Sequence, residues 1–262
     1  MKSYRQLILD LDGTVYLDGQ PIGPVIQQLT ELSEKGISTL ILTNNTSVSK
    51  ETYHRKLLQL GLELDLQQIV SPSEVAGKYF RELFSPVPKG FILGTSDLIT
   101  ELESKYGIQH VERGADFVLV GFDKSLTYCK LQHACHLVNK GIPLYSTNID
   151  IACPTRRGPV PDTGALAKLL QDVTGVKPVT HFGKPGRLLA EHLLSLVKDP
   201  RLTLLAGDRL YTDICLGEKM GVDTLLVFSG EAKSQDLSAA RIQPVYTAAT
   251  LSEFLQWHFM VR

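Results

Sequence analysis

The 262-residue chain predicts an α/β fold: a doubly wound, mostly parallel sheet with a smaller α/β unit inserted into it. Three observations carry that expectation. Strand-length apolar runs alternate with amphipathic helices almost from the first residue, the alternation starts afresh at Gly90, and chemically active polar residues stand immediately after strands. Alternation of this kind builds a parallel sheet with helices on both faces, and such sheets bind ligands just beyond the carboxyl ends of their strands.

Residues 7–9 read as a buried strand. Ile22, Val25, Ile26, Leu29 and Leu32 then share one face of a helix, which Gly36 closes. A strand over 37–42 follows, then a helix over about 50–60 ending at Gly61. Val70 leads through Ser71-Pro72-Ser73, a helix-start signal, into a helix reaching toward Phe84. From Gly90, strands at 91–93, 117–120 and 143–145 alternate with helices near 96–105, 127–139 and 162–173. The segment 178–182 reads as a strand that leads into Gly183-Lys184-Pro185-Gly186, after which a helix carries Leu188, Leu189, Leu193 and Leu196. Strands at 203–206 and 224–228 follow, and a last amphipathic segment carries Leu251, Phe254, Leu255 and Trp257.

The bulk numbers narrow the function. Lys plus Arg (27) against Asp plus Glu (28) leaves a charge of −1, so no basic excess points to nucleic acid or a membrane surface as partner. The apolar runs are strand-length, too short to span a bilayer. The start, Met1-Lys2-Ser3-Tyr4-Arg5-Gln6, runs directly into the first strand and its carboxylates and does not look like a signal peptide, so a cytoplasmic protein is expected. The four cysteines form no C-x-x-C pair and read as reduced thiols. Cys129, His133, Cys135 and His136 lie close in sequence, but on a helix they point to different faces and do not converge on a zinc ion.

Four strand ends deliver the chemistry. Asp10 and Asp12 follow the first strand, Thr43-Asn44-Asn45 the second, Lys184 the segment 178–182, and Asp208 the strand 203–206. Two acids spaced by one residue and followed by Gly cannot both enter a dry core unpaired. A calcium loop is excluded, since Gly13 falls fourth and Pro21 twelfth where Gly is needed sixth and Glu twelfth. Carboxylates, a hydroxyl, amides and one ammonium are what holds a phosphate dianion beside a divalent metal.

Asp10-Leu11-Asp12-Gly13-Thr14 resembles the nucleophile motif of the haloacid dehalogenase superfamily. Thr43, Lys184 and Gly207-Asp208-Arg209-Leu210-Tyr211-Thr212-Asp213 match its remaining motifs in order. The Thr-Asn-Asn run, the Gly-Lys-Pro and the long insert resemble the NagD-like, class IIA branch. The resemblance implies a Mg2+-dependent phosphatase working through an aspartyl-phosphate on a small phosphorylated metabolite: a sugar phosphate, a nucleoside monophosphate or an aryl phosphate. It implies a catalytic core of residues 1–81 and 179–262 and a cap of residues 82–178, and it admits a homodimer. Asp10 is then the nucleophile and Asp12 the acid and base. Magnesium falls to Asp10, the backbone carbonyl of Asp12 and Asp208, with Asp213 behind them or acting through water. Lys184 neutralises charge, and Thr43 and Asn44 donate at an expected helix start. Asn45 either touches substrate or braces its loop.

Tyr145-Ser146-Thr147-Asn148-Ile149-Asp150 resembles the family's T-N-P-D stretch, with Ile149 where proline is usual. Asn148, Asp150 and Arg156 are the candidates for leaving-group contacts, although a solvated turn explains Arg156-Arg157-Gly158-Pro159 as well. A phosphomutase would keep the same core residues. A phosphate-binding receiver module would be about half the length and would carry its acid pair and phosphorylated Asp on separate strands.

Overall fold

The computed structural model describes residues 2–155 and 157–260. Strand β1 (Gln6–Asp10) is buried throughout and leads to a short hairpin of β2 (Tyr16–Leu17) and β3 (Gln20–Pro21). Helix α1 (Val25–Glu34), β4 (Ser38–Leu42), helix α2 (Lys50–Gln59), β5 (Ile69–Val70) and helix α3 (Pro72–Leu83) complete the first round. The inserted round contains β6 (Lys89–Leu93), α4 (Ser96–Tyr106), β7 (Gln109–His110), β8 (Phe117–Val120), α5 (Tyr128–Asn139) and β9 (Leu144–Ser146). A small hairpin of β10 (Ala152–Cys153) and β11 (Val160–Pro161) then precedes α6 (Thr163–Thr174). The chain returns through α7 (Arg187–Leu196), β12 (Thr203–Gly207), α8 (Cys215–Met220), β13 (Asp223–Val227), β14 (Tyr246–Ala248) and α9 (Leu251–Leu255).

Among the described residues, six parallel strands form one sheet in the order β14-β13-β12-β1-β4-β5, and four form a second, β7-β6-β8-β9. The chain reverses its direction of travel across the large sheet at β1, the place where α/β sheets open a crevice. Register brings the reactive ends together there. Asp10 pairs with Leu42 and Leu9 with Ala206, so Asp10, Thr43 and Asp208 leave the sheet along one edge.

The period of two along β1 sends Leu7 and Leu9 into one apolar cluster and Ile8 into the other. The cluster around Ile8, Leu40 and Leu205 continues without a break into the second sheet. Phe80 of α3 stacks on Phe117 of β8 with ring centroids 3.7 Å apart and meets Tyr145 and Phe182 edge-on.

Helix ends follow local chemistry. Thr95, Thr127 and Thr250 cap α4, α5 and α9 through their hydroxyls, and Ser49 caps α2. Three expectations are corrected. Segment 178–182 is extended but is not a strand: Pro178 has no N–H to give, and pairing with β9 is irregular around the bridge from Ser146 to His181. Helix α1 starts after Pro24, so Ile22 lies before it and bonds Val15 instead. Trp257 is 48% exposed because the chain after α9 widens into a π-helical turn over Gln256–Met260, which carries it off the buried face.

Glu74 of α3 fastens three helices. Its carboxylate takes Lys50 of α2 at 2.8 Å and Lys78 at 2.8 Å, and lies 3.2 Å from His192 of α7. Burial works against its charge, but His192, Lys50 and Lys78 hold it well below the ordinary carboxylate range. For an acid shifted this way the stabilisation is complete above the unfolded value of about 4.5 and is lost as pH falls below it. Glu74→Gln is therefore expected to lower stability at pH 7 but to flatten its loss in acid, measured as urea midpoints from pH 7 to 3. Parallel curves for the two proteins would remove Glu74 from the acid transition.

Candidate active site

The edge above β1 carries a compact charge cluster. Lys184 is 3% exposed and its Nζ bonds both Asp10 Oδ1 and, at 2.7 Å, Asp213 Oδ1. Thr14 Oγ1 donates to the other Asp10 oxygen at 3.0 Å. Ligand oxygens of Asp10, Asp208 and Asp213 all lie within 4.8 Å of one another, and all three residues are buried. Two glycine backbones press on Asp208: a Cβ at Gly13 would lie 2.5 Å, and one at Gly230 1.9 Å, from its Oδ2. Gly13 has φ +93°, so a side chain there would be strained as well.

The electrostatics follow from this crowding. Burial pushes the Asp10 carboxyl up to about 7 against the pull of Lys184, and Asp213 and Asp12 push the same way. Burial, then Asp10 and Asp213, raises Asp208. Burial alone would lower Lys184, but the Asp10 and Asp213 charges hold it above its ordinary value. When all three are ionised, the carboxylates against the one Lys184 ammonium carry two surplus negative charges, which one divalent cation would offset. An all-oxygen donor set of this kind fits magnesium.

Asp12 is half-buried beside the cluster. Burial raises its carboxyl, opposed by Lys56, Lys184, Arg209 and Lys124. A raised carboxyl of this kind holds its proton more readily at neutral pH. Asp10, Asp12, Thr43, Asn44, Asn45, Lys184 and Asp208 line one small cavity, together with Asp150 and Arg209.

Several of the remaining residues stand differently from expectation. Thr43 and Asn44 do not start a helix, because α2 begins at Lys50. Instead Thr43 Oγ1 accepts Asn45 N–H at 3.1 Å and Asn45 Oδ1 accepts Ser47 N–H at 2.9 Å, local bonds that compete with a helical turn. Asn45 thus braces its loop as well as lining the cavity. The Asn44 side chain is spent on structure: Nδ2 donates to Asp150 at 2.9 Å and Oδ1 accepts Lys184 N–H at 2.8 Å. Asn148 is fully buried, donating to the Asn44 carbonyl at 2.7 Å and accepting Asp150 N–H at 2.9 Å, which places it behind the cavity wall. It has no surface to offer a leaving group. Arg156 lies outside the described residues.

Other residues join the site without having been singled out. Thr14 had a signal, being the last residue of the D-x-D-G-T run. Arg209 follows Asp208 directly and pairs with Asp150 at 2.7 Å and Glu231 at 3.0 Å. Asp162 lines the cavity as the cap residue of α6, its carboxyl pushed up to about 6 by burial. Neither Arg209 nor Asp162 could be ranked above other polar residues from sequence alone.

Known proteins share this fold and much of this sequence. The sequence profile of the haloacid dehalogenase-like hydrolases matches residues 7–109, and a related HAD-hydrolase-like profile matches residues 181–254. The chain is 31% identical to the 5'-nucleotidase YutF of Bacillus subtilis over 258 residues, 98% of this chain and 100% of the relative. The 4-nitrophenylphosphatase of Thermotoga maritima superposes with a TM-score of 0.89 at 35% identity, with 97% of each chain covered. The glycerol phosphate phosphatase of Mycobacterium tuberculosis in complex with magnesium superposes with a TM-score of 0.87 at 28% identity, covering 98% of this chain and 79% of that one. The chain belongs to the haloacid dehalogenase-like hydrolases, in their NagD-like branch. Within that family it is a phosphoric monoester hydrolase.

Proposed function

We propose that the protein is a broad-range phosphatase in which Asp10 takes the phosphoryl group, Asp12 handles the protons, and residues 82–178 act as a cap over the core formed by 1–81 and 179–262. The observation that carries this reading is the buried Asp10 carboxylate, fixed by Lys184 and Thr14 at the end of the central strand with Asp12 beside it. In the first displacement an Asp10 oxygen bonds to phosphorus while the ester oxygen leaves with the proton of Asp12. In the second, Asp12 takes a proton from water, whose oxygen attacks the same phosphorus and frees Asp10 and inorganic phosphate. Lys184 and the Thr43 hydroxyl face the charge on the phosphoryl oxygens.

Asp10, the backbone carbonyl of Asp12, and Asp208 would hold the magnesium, with Asp213 steering from behind while it pairs with Lys184. When bound, the ion offsets the surplus charge of this cluster and of the phosphoryl group. Substrates in this reading are those in the names of the relatives, nucleotides, aryl phosphates and glycerol phosphate, together with sugar phosphates. No helix of the described residues is long and apolar enough to cross a membrane. The near-neutral charge and dispersed cysteines favour a cytoplasmic enzyme without a nucleic-acid partner.

The test is free phosphate released from an ester panel. Chelation should abolish turnover and magnesium should restore it, with phosphate matching ester consumed. Full activity after exhaustive chelation would remove the metal, and isomerised ester without free phosphate would reassign the protein as a mutase.

A further inference from the structure

The cavity above Asp10 has a wall that is held in place by a group outside the reacting set. Cys153 and Pro154 line the cavity and belong to the segment that runs from Asp150 through β10. This cavity, partly open to solvent, has a volume of about 30 Å³. That is far less than the several hundred Å³ of an ordinary small-molecule site. A phosphoryl group must reach Asp10 and Lys184 in every substrate, whereas the leaving group alone has to fit against this wall.

One side chain fastens the wall to the catalytic edge. Arg209 is 9% exposed and follows Asp208 directly. Its Nη1 forms an ion pair with Asp150 Oδ1 at 2.7 Å and its Nη2 donates to the Ala152 carbonyl at 3.2 Å, so one ion pair and one hydrogen bond grip the segment. Its Nε pairs with Glu231 at 3.0 Å, and its own N–H donates to Asp213 Oδ2 at 3.2 Å. Asp150 is gripped from the other side by Asn44, which also holds Lys184 N–H. A planar guanidinium with five fixed donors can serve three carriers at once, and a lysine ammonium cannot reproduce that fork.

We propose that Arg209 is a specificity-determining positioning residue: by clasping Asp150 and Ala152 it sets the stand-off of the Cys153–Pro154 wall and so decides which leaving groups the cavity takes. This rests on the phosphatase reading above. The phosphoryl half of the substrate meets Asp10, Thr43 and Lys184, so loss of the clasp changes discrimination beyond any uniform effect on rate.

The experiment compares wild type with Arg209→Ala, Arg209→Lys, Asp150→Asn and the Arg209→Ala/Asp150→Asn pair, using glycerol phosphate, an aryl phosphate and a nucleoside monophosphate. The ratio of kcat/KM for glycerol phosphate over that for the nucleotide should change by about tenfold in Arg209→Ala, chiefly through KM. Arg209→Lys should change it in the same direction, because it keeps charge near Asp208 but loses the fork. The paired variant should go no further than Arg209→Ala, since both substitutions open one clasp. Equal losses on all three substrates, restoration of the ratio by lysine, or additive effects would overturn the proposal. Trypsin supplies a readout independent of turnover: cleavage at the exposed Arg157 should speed up in each single variant relative to wild type, and unchanged cleavage would overturn the clasp. Absence of wild-type turnover on every ester would sink the phosphatase reading instead, and the trypsin comparison would still judge the clasp.

Discussion

Asp10→Asn is expected to slow phosphate release by at least about three orders of magnitude, because an amide cannot form the acyl phosphate and the covalent route closes. The substitution is nearly isosteric. It keeps one oxygen for Lys184 and turns its amide N–H toward Thr14 Oγ1, whose hydroxyl can accept instead of donate, so the strand end should hold its shape. Steady-state phosphate release, with circular dichroism to confirm the fold, is the measurement. Turnover within tenfold of wild type would mean that water attacks the ester directly and that Asp10 is not the nucleophile.

Lys184→Met should cost both activity and stability. Nζ lies between two buried carboxylates, and methionine fills the same volume without charge. Breaking a buried ion network by removing one partner costs about 3–5 kcal/mol. Turnover should fall by at least about a hundredfold, as the phosphoryl oxygens lose a fixed cation. Urea unfolding in the presence of chelator isolates the stability effect. Midpoints equal to wild type would show that Asp10 and Asp213 do not depend on this lysine.

The catalytic edge was legible because strand ends in a parallel sheet are fixed by alternation alone. Once 7–9, 37–42 and 203–206 read as strands of one parallel sheet, the residues after them had to share one edge, and the register of β1 with β4 and β12 makes them neighbours there. Segment 178–182 looked like a strand because its apolar content hides the missing N–H of Pro178. Strand β14 gave little signal, since at the sheet edge its three residues are half-buried or exposed. The harder readings concerned direction. Sequence places Asn148 near the site, but whether its amide faces the cavity or the Asn44 carbonyl depends on a contact between residues 104 apart. Arg209 was hidden for the same reason: its partners Asp150 and Glu231 come from two distant loops. One-dimensional pattern fixes which strand end a residue leaves. It does not fix the partner that its side chain finds.

The ring stack of Phe80, Phe117, Tyr145 and Phe182 bears on how the two sheets can move. Pulling the sheets apart would wet all four rings, and each buried aromatic side chain is worth roughly 1.5–3 kcal/mol of transfer free energy. Rolling one ring over another keeps them dry. The stack therefore opposes detachment of the inserted unit more strongly than it opposes a small rotation about Phe80 that keeps the rings in contact.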